Sequence, residues 1–172
     1  MLVGCGEKRQ RAVPPEGETS TTQGREQVPT GEASAFPIYD FESFEPLLHQ
    51  GDGKIHIINF WATWCKPCLE EMPHFERIHA EYRDKGVVVV LVSLDMPNMW
   101  KSRLEPYVER KGIKSRVVIL DDPQQHDWIP KVSPQWGGGI PATLIYNQER
   151  RTFHERGFTY GELVAEIEKF NL

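Results

Sequence analysis

The chain has 172 residues, of which 39% are hydrophobic and 26% are charged, and its formal net charge is −5. This length and composition predict one soluble domain with a short extension, since single domains cluster near roughly 100–150 residues. A mildly acidic chain is not attracted to phosphate backbones, which argues against non-specific binding to nucleic acid. The longest apolar run, residues 87–92, is far shorter than the ~20 residues of a membrane-spanning helix, so we expect no segment that crosses a bilayer.

The first five residues, Met1-Leu2-Val3-Gly4-Cys5, place a cysteine after small and aliphatic residues. This pattern resembles the lipobox of bacterial lipoproteins, in which the cysteine becomes the lipidated N-terminus after cleavage. The charged and apolar regions of a full signal peptide are missing from these five residues. We therefore interpret residues 1–5 as the remnant of a lipoprotein signal, with Cys5 as its lipidation site. The alternative is a stray exposed thiol.

Residues 6–35 contain five apolar residues and no aromatic residue. Such a segment buries too little apolar surface to offset the entropy that is lost on ordering. We predict that residues 6–35 form a disordered linker. The composition changes at Phe36, and residues 36–172 are predicted to form a folded domain.

The first half of this domain alternates between helical and strand patterns. The predicted elements are a short helix at 40–49, a buried strand at 54–61, a helix at 65–85 and a second buried strand at 87–94. Pro73 is expected to kink the second helix, and Gly86 to end it. The second strand is apolar throughout, which is typical of a central parallel strand covered on both faces.

The second half is less regular. Its predicted elements are a charged helix at 98–111 with Pro106 as a break or a late start, a short strand at 116–120, an irregular or partly helical stretch at 121–136, a mobile glycine hinge at 137–139, a hairpin of strands at 143–147 and 151–157, and an amphipathic helix at 160–170. This order predicts an α/β fold with a central mixed β-sheet flanked by helices, parallel at first and antiparallel at the end.

Two cysteines stand close together in the motif Cys65-Lys66-Pro67-Cys68, where a predicted strand runs into a predicted helix. Unpaired backbone N–H groups and the dipole at a helix start favour a thiolate, so we expect Cys65 to be the acidic, exposed nucleophile. Cys68 lies one turn further on the same face, where it can resolve a mixed disulfide. Pro67 suits the first helical turn, and the cation of Lys66 should favour the thiolate and the reduced pair.

Three motifs in combination resemble one family: Phe-Trp-Ala-Thr-Trp-Cys at 60–65, Glu-Met-Pro at 71–73 and Gly-Ile-Pro-Ala-Thr at 139–143. They are similar to those of the thioredoxin superfamily, and more narrowly to the TlpA/ResA-like thiol-disulfide oxidoreductases that bacteria export. The resemblance implies a thioredoxin fold with an extended central segment before the cis-Pro loop. It also implies a cis peptide bond before Pro141 and a backbone at Ile140 that binds an extended substrate segment.

Two further positions bear on the chemistry. Thioredoxin has a buried Asp in the strand before the motif, whereas this chain has Asn59, which cannot accept a proton. Glu71 matches a glutamate that TlpA/ResA-like proteins place beside their cysteines. It shares a helical face with Cys68, and a partly buried carboxylate would have a raised pKa suited to relaying a proton. The alternative is a solvated glutamate beside Glu70.

Aromatic and histidine residues near these motifs have simpler interpretations. Trp64 directly precedes the nucleophile, and we expect it to shield the disulfide and to offer an apolar platform to substrate. The tryptophans predicted to pack in the core are Trp61, Trp128 and Trp136. The histidines interpreted as ordinary surface or edge residues are His49, His56, His126 and His154.

Two other chemistries are disfavoured. A zinc site could combine the two cysteines with His74 and His79, but the gap before His74 is too short for a finger loop, and these histidines lie about 140° apart around one helix. A peroxiredoxin-like thiol peroxidase would share the fold, but the Pro-x3-Thr-x2-Cys arrangement of that family is missing before Cys65. No metal or organic cofactor is implied.

The sequence therefore predicts a thiol-disulfide oxidoreductase that reduces protein disulfides in the bacterial periplasm or cell envelope, tethered there by a lipid on Cys5. The resemblance implies a protein substrate with disulfides or thiols, and a membrane-borne electron donor. The lipid anchor would be the chain's contact with the membrane, and no nucleic-acid partner is expected. Two alternatives stay open: a non-catalytic thioredoxin-like binding domain, and the thiol peroxidase.

Overall fold

The computed structural model describes residues 33–170. The predicted lipidation site Cys5 and the predicted linker as far as residue 32 lie outside the described residues. Between residues 33 and 170, no helix combines the length and the apolar character that crossing a membrane requires.

Within the described residues, six strands form one mixed sheet in the spatial order 1-4-3-2-5-6. They are β1 (Ile38–Tyr39), β2 (Ile55–Trp61), β3 (Val87–Ser93), β4 (Arg116–Leu120), β5 (Ala142–Tyr146) and β6 (Arg151–His154). The strands β1, β4, β3 and β2 run parallel, whereas β5 pairs antiparallel with both β2 and β6. The predicted mixed α/β sheet, parallel first and antiparallel at the end, is confirmed.

Helices cover both faces of the sheet. Those in residues 33–170 are α1 (Phe41–Phe44), α2 (Lys66–Tyr82), α3 (Glu105–Lys111), α4 (Gln125–Val132) and α5 (Tyr160–Glu168). Side chains of α2, α3 and α5 pack against one face, and those of α1 and α4 pack against the other. Strand β2 contributes to both layers because its alternate side chains, such as Phe60 and Trp61, point to opposite faces.

The helix predicted at 98–111 is divided in the structure. A 3-10 turn covers Pro97–Met99, a π-helical turn covers Trp100–Leu104, and α3 begins only at Glu105. Pro106 lies in the first turn of α3, where its missing N–H has no partner to lose. The interpretation of Pro106 as a late start is therefore confirmed. The prediction of one regular helix that already begins at residue 98 was wrong.

The glycine segment 137–139 is held in place, contrary to the predicted mobile hinge. The carboxylate of Glu155 accepts hydrogen bonds from the N–H groups of Gly137 at 2.8 Å and Gly139 at 2.7 Å. The indole N–H of Trp136 donates to the carbonyl of Gly139 at 2.8 Å. The prediction failed because it considered the conformational freedom of glycine and not the partners that folding brings to its backbone.

His56 is a second correction, because it was interpreted as a surface or edge residue and is only 5% exposed. Its ring stacks on Tyr146 with the centroids 5.1 Å apart, and its Nε2 lies 2.8 Å from Asp52 Oδ1. His49 and His126 are exposed as predicted. The alternation along β2 turns His56 toward the layer that contains Tyr146, which its position in the sequence alone does not reveal.

Candidate active site

The two cysteines of the motif meet at the start of α2. Cys65 is the N-cap residue, with extended backbone angles (φ −91°, ψ 98°), and its sulfur accepts a hydrogen bond from the Cys68 N–H at 3.4 Å. The two sulfurs form a disulfide, and the Cα atoms are 5.3 Å apart, within the range that such a bridge requires. A backbone N–H of the first turn, that of Cys68, therefore faces the sulfur of Cys65, as the helix-start argument predicted.

Exposure of the pair differs from the prediction for Cys65. In the disulfide form Cys65 is 6% exposed and Cys68 is fully buried, whereas Cys65 was expected to be exposed. The backbone carbonyl of Ile140 lies 3.7 Å from the Cys65 sulfur and covers one side of it. Little of the Cys65 sulfur is therefore open to solvent in the disulfide form.

The loop before β5 supplies that cover. The peptide bond between Ile140 and Pro141 is cis, as the resemblance implied. Pro141 is buried and Ile140 is half-buried, so the loop lies against the motif while part of Ile140 stays accessible. The fold thus brings Ile140 beside Cys65 although the two are 75 positions apart in sequence.

Trp64, Lys66 and Pro67 all face solvent around the cysteines. Trp64 is 53% exposed, which leaves a large apolar surface next to Cys65. The ammonium of Lys66 lies 3.8 Å from Glu70 Oε1, and both side chains are well exposed. Such an exposed ion pair contributes little to the free energy of folding. It places the Lys66 ammonium near Glu70 rather than near a sulfur.

Glu71 is buried beneath the motif, so the interpretation of a solvated glutamate was wrong. The residue is 3% exposed. Its Oε1 accepts from Asn59 Nδ2 at 2.9 Å, and its Oε2 accepts from the backbone N–H of Phe158 at 2.8 Å. Burial raises the pKa of Glu71 from 4.5 to about 7, although the two hydrogen bonds and the charge of Arg156 act in the opposite direction.

Asn59 orients this carboxylate. Its Nδ2 donates both to Glu71 and to Thr143 Oγ1, the latter at 3.1 Å. Asn59 in β2 thus connects Glu71 in α2 with Thr143 in β5. Within residues 33–170 its Oδ1 atom is buried with no hydrogen-bond partner. As an amide, Asn59 does not take up a proton, but it fixes the position of the Glu71 carboxylate, which can take up a proton.

A network that the sequence analysis missed fixes the turn before Cys65. Asp95 is 2% exposed and accepts from the Thr63 N–H at 3.1 Å and from the Thr63 hydroxyl at 2.6 Å. Ser93 at the end of β3 donates to the same carboxylate at 2.8 Å. The available signal was an aspartate directly after a buried parallel strand, which places it at the same sheet edge as the motif.

The model of the AhpC/TSA family matches residues 36–152 of the 172. The chain belongs to the AhpC/TSA family. Its matched part runs from the residues before β1 to the start of β6 and so includes both cysteines, Glu71 and the cis-Pro loop.

Several bacterial relatives of this AhpC/TSA family chain carry the name thiol-disulfide oxidoreductase ResA. The one from Bacillus thuringiensis (strain Al Hakam) is 33% identical over 125 residues, which are 72% of this chain and 66% of the relative. The one from Geobacillus thermodenitrificans is 37% identical over 117 residues, covering 67% of this chain and 62% of the relative. A third, from Halalkalibacterium halodurans, is 35% identical, and the match spans 48% of its length. The chain thus spans about half to two thirds of these curated relatives.

Solved structures show the same fold for this family member. A thioredoxin family thiol:disulfide interchange protein from Chlorobium tepidum TLS has a TM-score of 0.57 at 20% identity, covering 68% of this chain and 79% of that one. StoA from Bacillus subtilis has a TM-score of 0.54 at 17% identity, covering 73% and 87%. At these identities the likeness concerns the fold, which is the thioredoxin fold that the sequence predicted.

Proposed function

We propose that this chain is a thiol-disulfide oxidoreductase that reduces protein disulfides through the Cys65–Cys68 pair. The observation that carries the proposal is the redox pair itself, two cysteines bridged at a helix start beside a cis-Pro loop. The relatives named ResA support the reaction class. The proposal commits to the reducing direction, which the reduction potential tests.

The reaction exchanges one disulfide for another. The Cys65 thiolate attacks a sulfur of the target disulfide, which forms a mixed disulfide and releases one target thiolate. Cys68 then loses its proton and attacks the Cys65 sulfur, which releases the second target thiolate and leaves the Cys65–Cys68 disulfide. Two electrons pass from the cysteine pair to the target, and a membrane-borne electron donor then reduces the pair again.

Cys65 is the nucleophile because its sulfur already accepts the Cys68 N–H at the start of α2. This N–H and the helix dipole stabilise a thiolate. Cys68 is the resolving cysteine because it is fully buried, out of reach of a target disulfide, and close enough to Cys65 to attack the Cys65 sulfur of the mixed disulfide. The exposed cation of Lys66 adds a weaker field, and Pro67 closes the first turn without an unsatisfied N–H.

Glu71 is the proton acceptor for Cys68 in this proposal. A group whose pKa is about 7 is half ionised at neutral pH, which suits it both to take a proton and to give it up. Within residues 33–170 its hydrogen-bond partners are Asn59 and Phe158, so transfer from the Cys68 thiol proceeds through a water or a small shift of the carboxylate. Position i+3 on α2 keeps the two residues on one helical face.

The substrate surface consists of the exposed ring of Trp64 and the cis-Pro loop. Trp64 offers an apolar platform, and the backbone at Ile140 accepts an extended segment that carries the target cysteine. Pro141 keeps that backbone beside Cys65. We place the protein in the bacterial cell envelope, with Cys5 as a lipid anchor and residues 6–35 as the linker between anchor and domain.

The reduction potential of the Cys65–Cys68 pair tests the direction of electron flow. The protein is equilibrated in defined thiol buffers, and tryptophan fluorescence reports the redox state. A value near about −270 mV, as in thioredoxin, would support a reductase, whereas a value near about −120 mV would make the protein an oxidant. Absence of a reversible two-electron transition would favour a non-catalytic binding domain.

Replacing the resolving cysteine separates an enzyme from a binding domain. In the Cys68→Ser variant an enzyme accumulates mixed disulfides with its substrates, because the second step is blocked while the first is not. A binding domain would give the same complexes with and without Cys68. Turnover of hydrogen peroxide by the wild type, lost in Cys65→Ser, would instead support the thiol peroxidase.

A further inference from the structure

One exposed carboxylate, that of Glu155, binds the backbone of the glycine segment 137–139, which leads into the cis-Pro loop beside Cys65. Glu155 follows β6 and accepts two hydrogen bonds, from the N–H of Gly137 at 2.8 Å and from the N–H of Gly139 at 2.7 Å. Each of its oxygens takes one of the two donors. These two hydrogen bonds give the glycine segment a defined shape although its three glycines are exposed.

The Glu155 carboxylate occupies the space beside Gly139 that a side chain would take. A Cβ atom built at position 139 would lie 2.6 Å from Glu155 Oε1, and its three nearest neighbours all belong to Glu155. The backbone at this position has no positive φ, so conformational strain does not account for the glycine. A larger residue at position 139 would therefore displace the Glu155 carboxylate from its place beside the glycine backbone.

The anchored segment continues directly into the substrate-facing backbone. Gly139 precedes Ile140, whose carbonyl lies 3.7 Å from the Cys65 sulfur. The indole of Trp136, which is buried, holds the carbonyl of Gly139 from the other side. With Gly139 fixed at both its N–H and its carbonyl, the position of Ile140 next to the sulfur is fixed as well.

We propose that Glu155 is a positioning residue for substrate recognition, which holds the Ile140 backbone in the geometry that binds an extended peptide segment beside Cys65. This inference rests on the proposed oxidoreductase function. Glu155 does not touch the reacting sulfurs, so it acts on peptide binding and not on thiol chemistry. The rate of reduction of a disulfide that has no peptide backbone should therefore not depend on Glu155.

The test compares two disulfides in the wild type and in Glu155→Ala. One probe is hydroxyethyl disulfide, and the other is a pair of short unstructured peptides joined by a single disulfide. In Glu155→Ala we expect KM for the peptide probe to rise about tenfold with kcat changed less than about twofold, and the rate with hydroxyethyl disulfide to stay unchanged. Glu155→Gln, whose amide can accept from one of the two N–H groups, should give an intermediate KM. Glu149→Ala, an exposed glutamate in the β5–β6 turn, is the matched control.

A second variant tests whether Gly139 and Glu155 act through the same contact. Gly139→Ala alone should raise KM for the peptide probe about as much as Glu155→Ala, whereas in the Glu155→Ala background it should add less than about twofold. Amide exchange of Gly137 and Gly139 should be slow in the wild type and fast in Glu155→Ala.

The outcomes separate this inference from the function on which it rests. If the wild type reduces neither probe, the proposed function fails, and this inference fails with it. If the wild type reduces both probes but Glu155→Ala changes neither, or slows both equally, the positioning role is wrong while the function stands. Fast exchange of both amides in the wild type would also overturn it.

Discussion

Glu71 is the residue whose chemistry depends most on its surroundings. The same glutamate on an exposed helix face would be ionised throughout the neutral range, but burial under the motif raises its pKa to about 7. Asn59 and the Phe158 N–H hold the carboxylate without keeping it ionised. The residue is therefore poised to change charge near neutral pH.

The role of Glu71 predicts a change in the pH profile of the second chemical step. Glu71→Gln removes the proton acceptor while keeping the shape of the side chain, so resolution by Cys68 should slow about ten- to a hundredfold above pH 7. In the wild type this rate should rise with pH through a pKa of about 7, and that rise should disappear in the variant. The measurement is rapid-mixing kinetics of the mixed disulfide. Glu70→Gln, next along the helix and exposed, is the control, and an unchanged profile in Glu71→Gln would contradict the relay.

The same shift predicts how stability depends on pH. Because folding raises the pKa of Glu71 from 4.5 to about 7, the folded state holds this proton more tightly than the unfolded chain does. The resulting stabilisation is complete below pH 4.5 and is lost as the pH rises through about 7. Between pH 5 and pH 8, the free energy of unfolding of the wild type should therefore fall by about 1–3 kcal/mol relative to Glu71→Gln. Urea denaturation of both proteins across this range measures it, and parallel pH profiles would show that the shift is absent.

At the scale of elements, the active-site turn depends on the end of β3. Asp95 ties the backbone and the hydroxyl of Thr63 to that strand, and the indole N–H of Trp100 donates to the Asp95 carbonyl at 2.7 Å. The π-helical turn that contains Trp100 thus packs against the same junction. Parallel strands direct their carboxyl ends to one edge of the sheet, which brings Asp95 and the motif together.

Removing this carboxylate should affect both stability and redox behaviour. Asp95→Ala leaves the N–H and hydroxyl of Thr63 without their acceptor at a mostly buried site, so we expect a loss of about 2–4 kcal/mol in the free energy of unfolding. The reduction potential should also shift, because the turn that holds Cys65 is released. Denaturation and thiol-buffer titration measure the two effects. Asp121→Ala, an exposed aspartate just after β4, should change neither, and an Asp95→Ala protein with wild-type stability would show that the network contributes little.

At the scale of the whole molecule, the sheet separates two apolar layers that both support the site. The layer under α2 contains the cysteines and Trp61, and the opposite layer contains Phe60 and Trp136. The second layer reaches the site through Trp136, which donates to Gly139 before the cis-Pro loop. Packing on the face away from the disulfide therefore helps to fix the backbone of the cis-Pro loop beside Cys65.

Phe60 tests this second layer. Its ring is fully buried, 4.7 Å from that of Trp136 and 6.0 Å from that of Phe44 between centroids. Phe60→Ala should lower the free energy of unfolding by about 3–5 kcal/mol, because it removes a large buried side chain and leaves a cavity. Thermal or urea unfolding measures it. Met96→Ala, at a residue 56% exposed, should change stability by less than about 0.5 kcal/mol, and equal effects of the two variants would contradict the layer assignment.

Local patterns were enough for most of the elements. The apolar run from 87 predicts β3, and the strand predicted at 116–120 has the observed bounds. The two-residue β1 was missed because it is too short to carry a pattern and exists through its pairing with β4. His56 was misplaced for a related reason, since a polar residue in an apolar strand is buried or exposed according to what lies opposite.

The sequence by itself determined the chemistry and the fold class of this protein. The spacing of Cys65 and Cys68 at a strand-to-helix junction, together with Pro141 before a late strand, depends on short-range geometry that a motif can record. Only the tertiary structure decided which groups surround that chemistry. The burial of Glu71, the Asp95 network and the hold of Glu155 on Gly139 all join segments distant in sequence, and their partners are common polar residues that no local pattern distinguishes. Desolvation and hydrogen bonding act through space, so they appear only once the chain is folded.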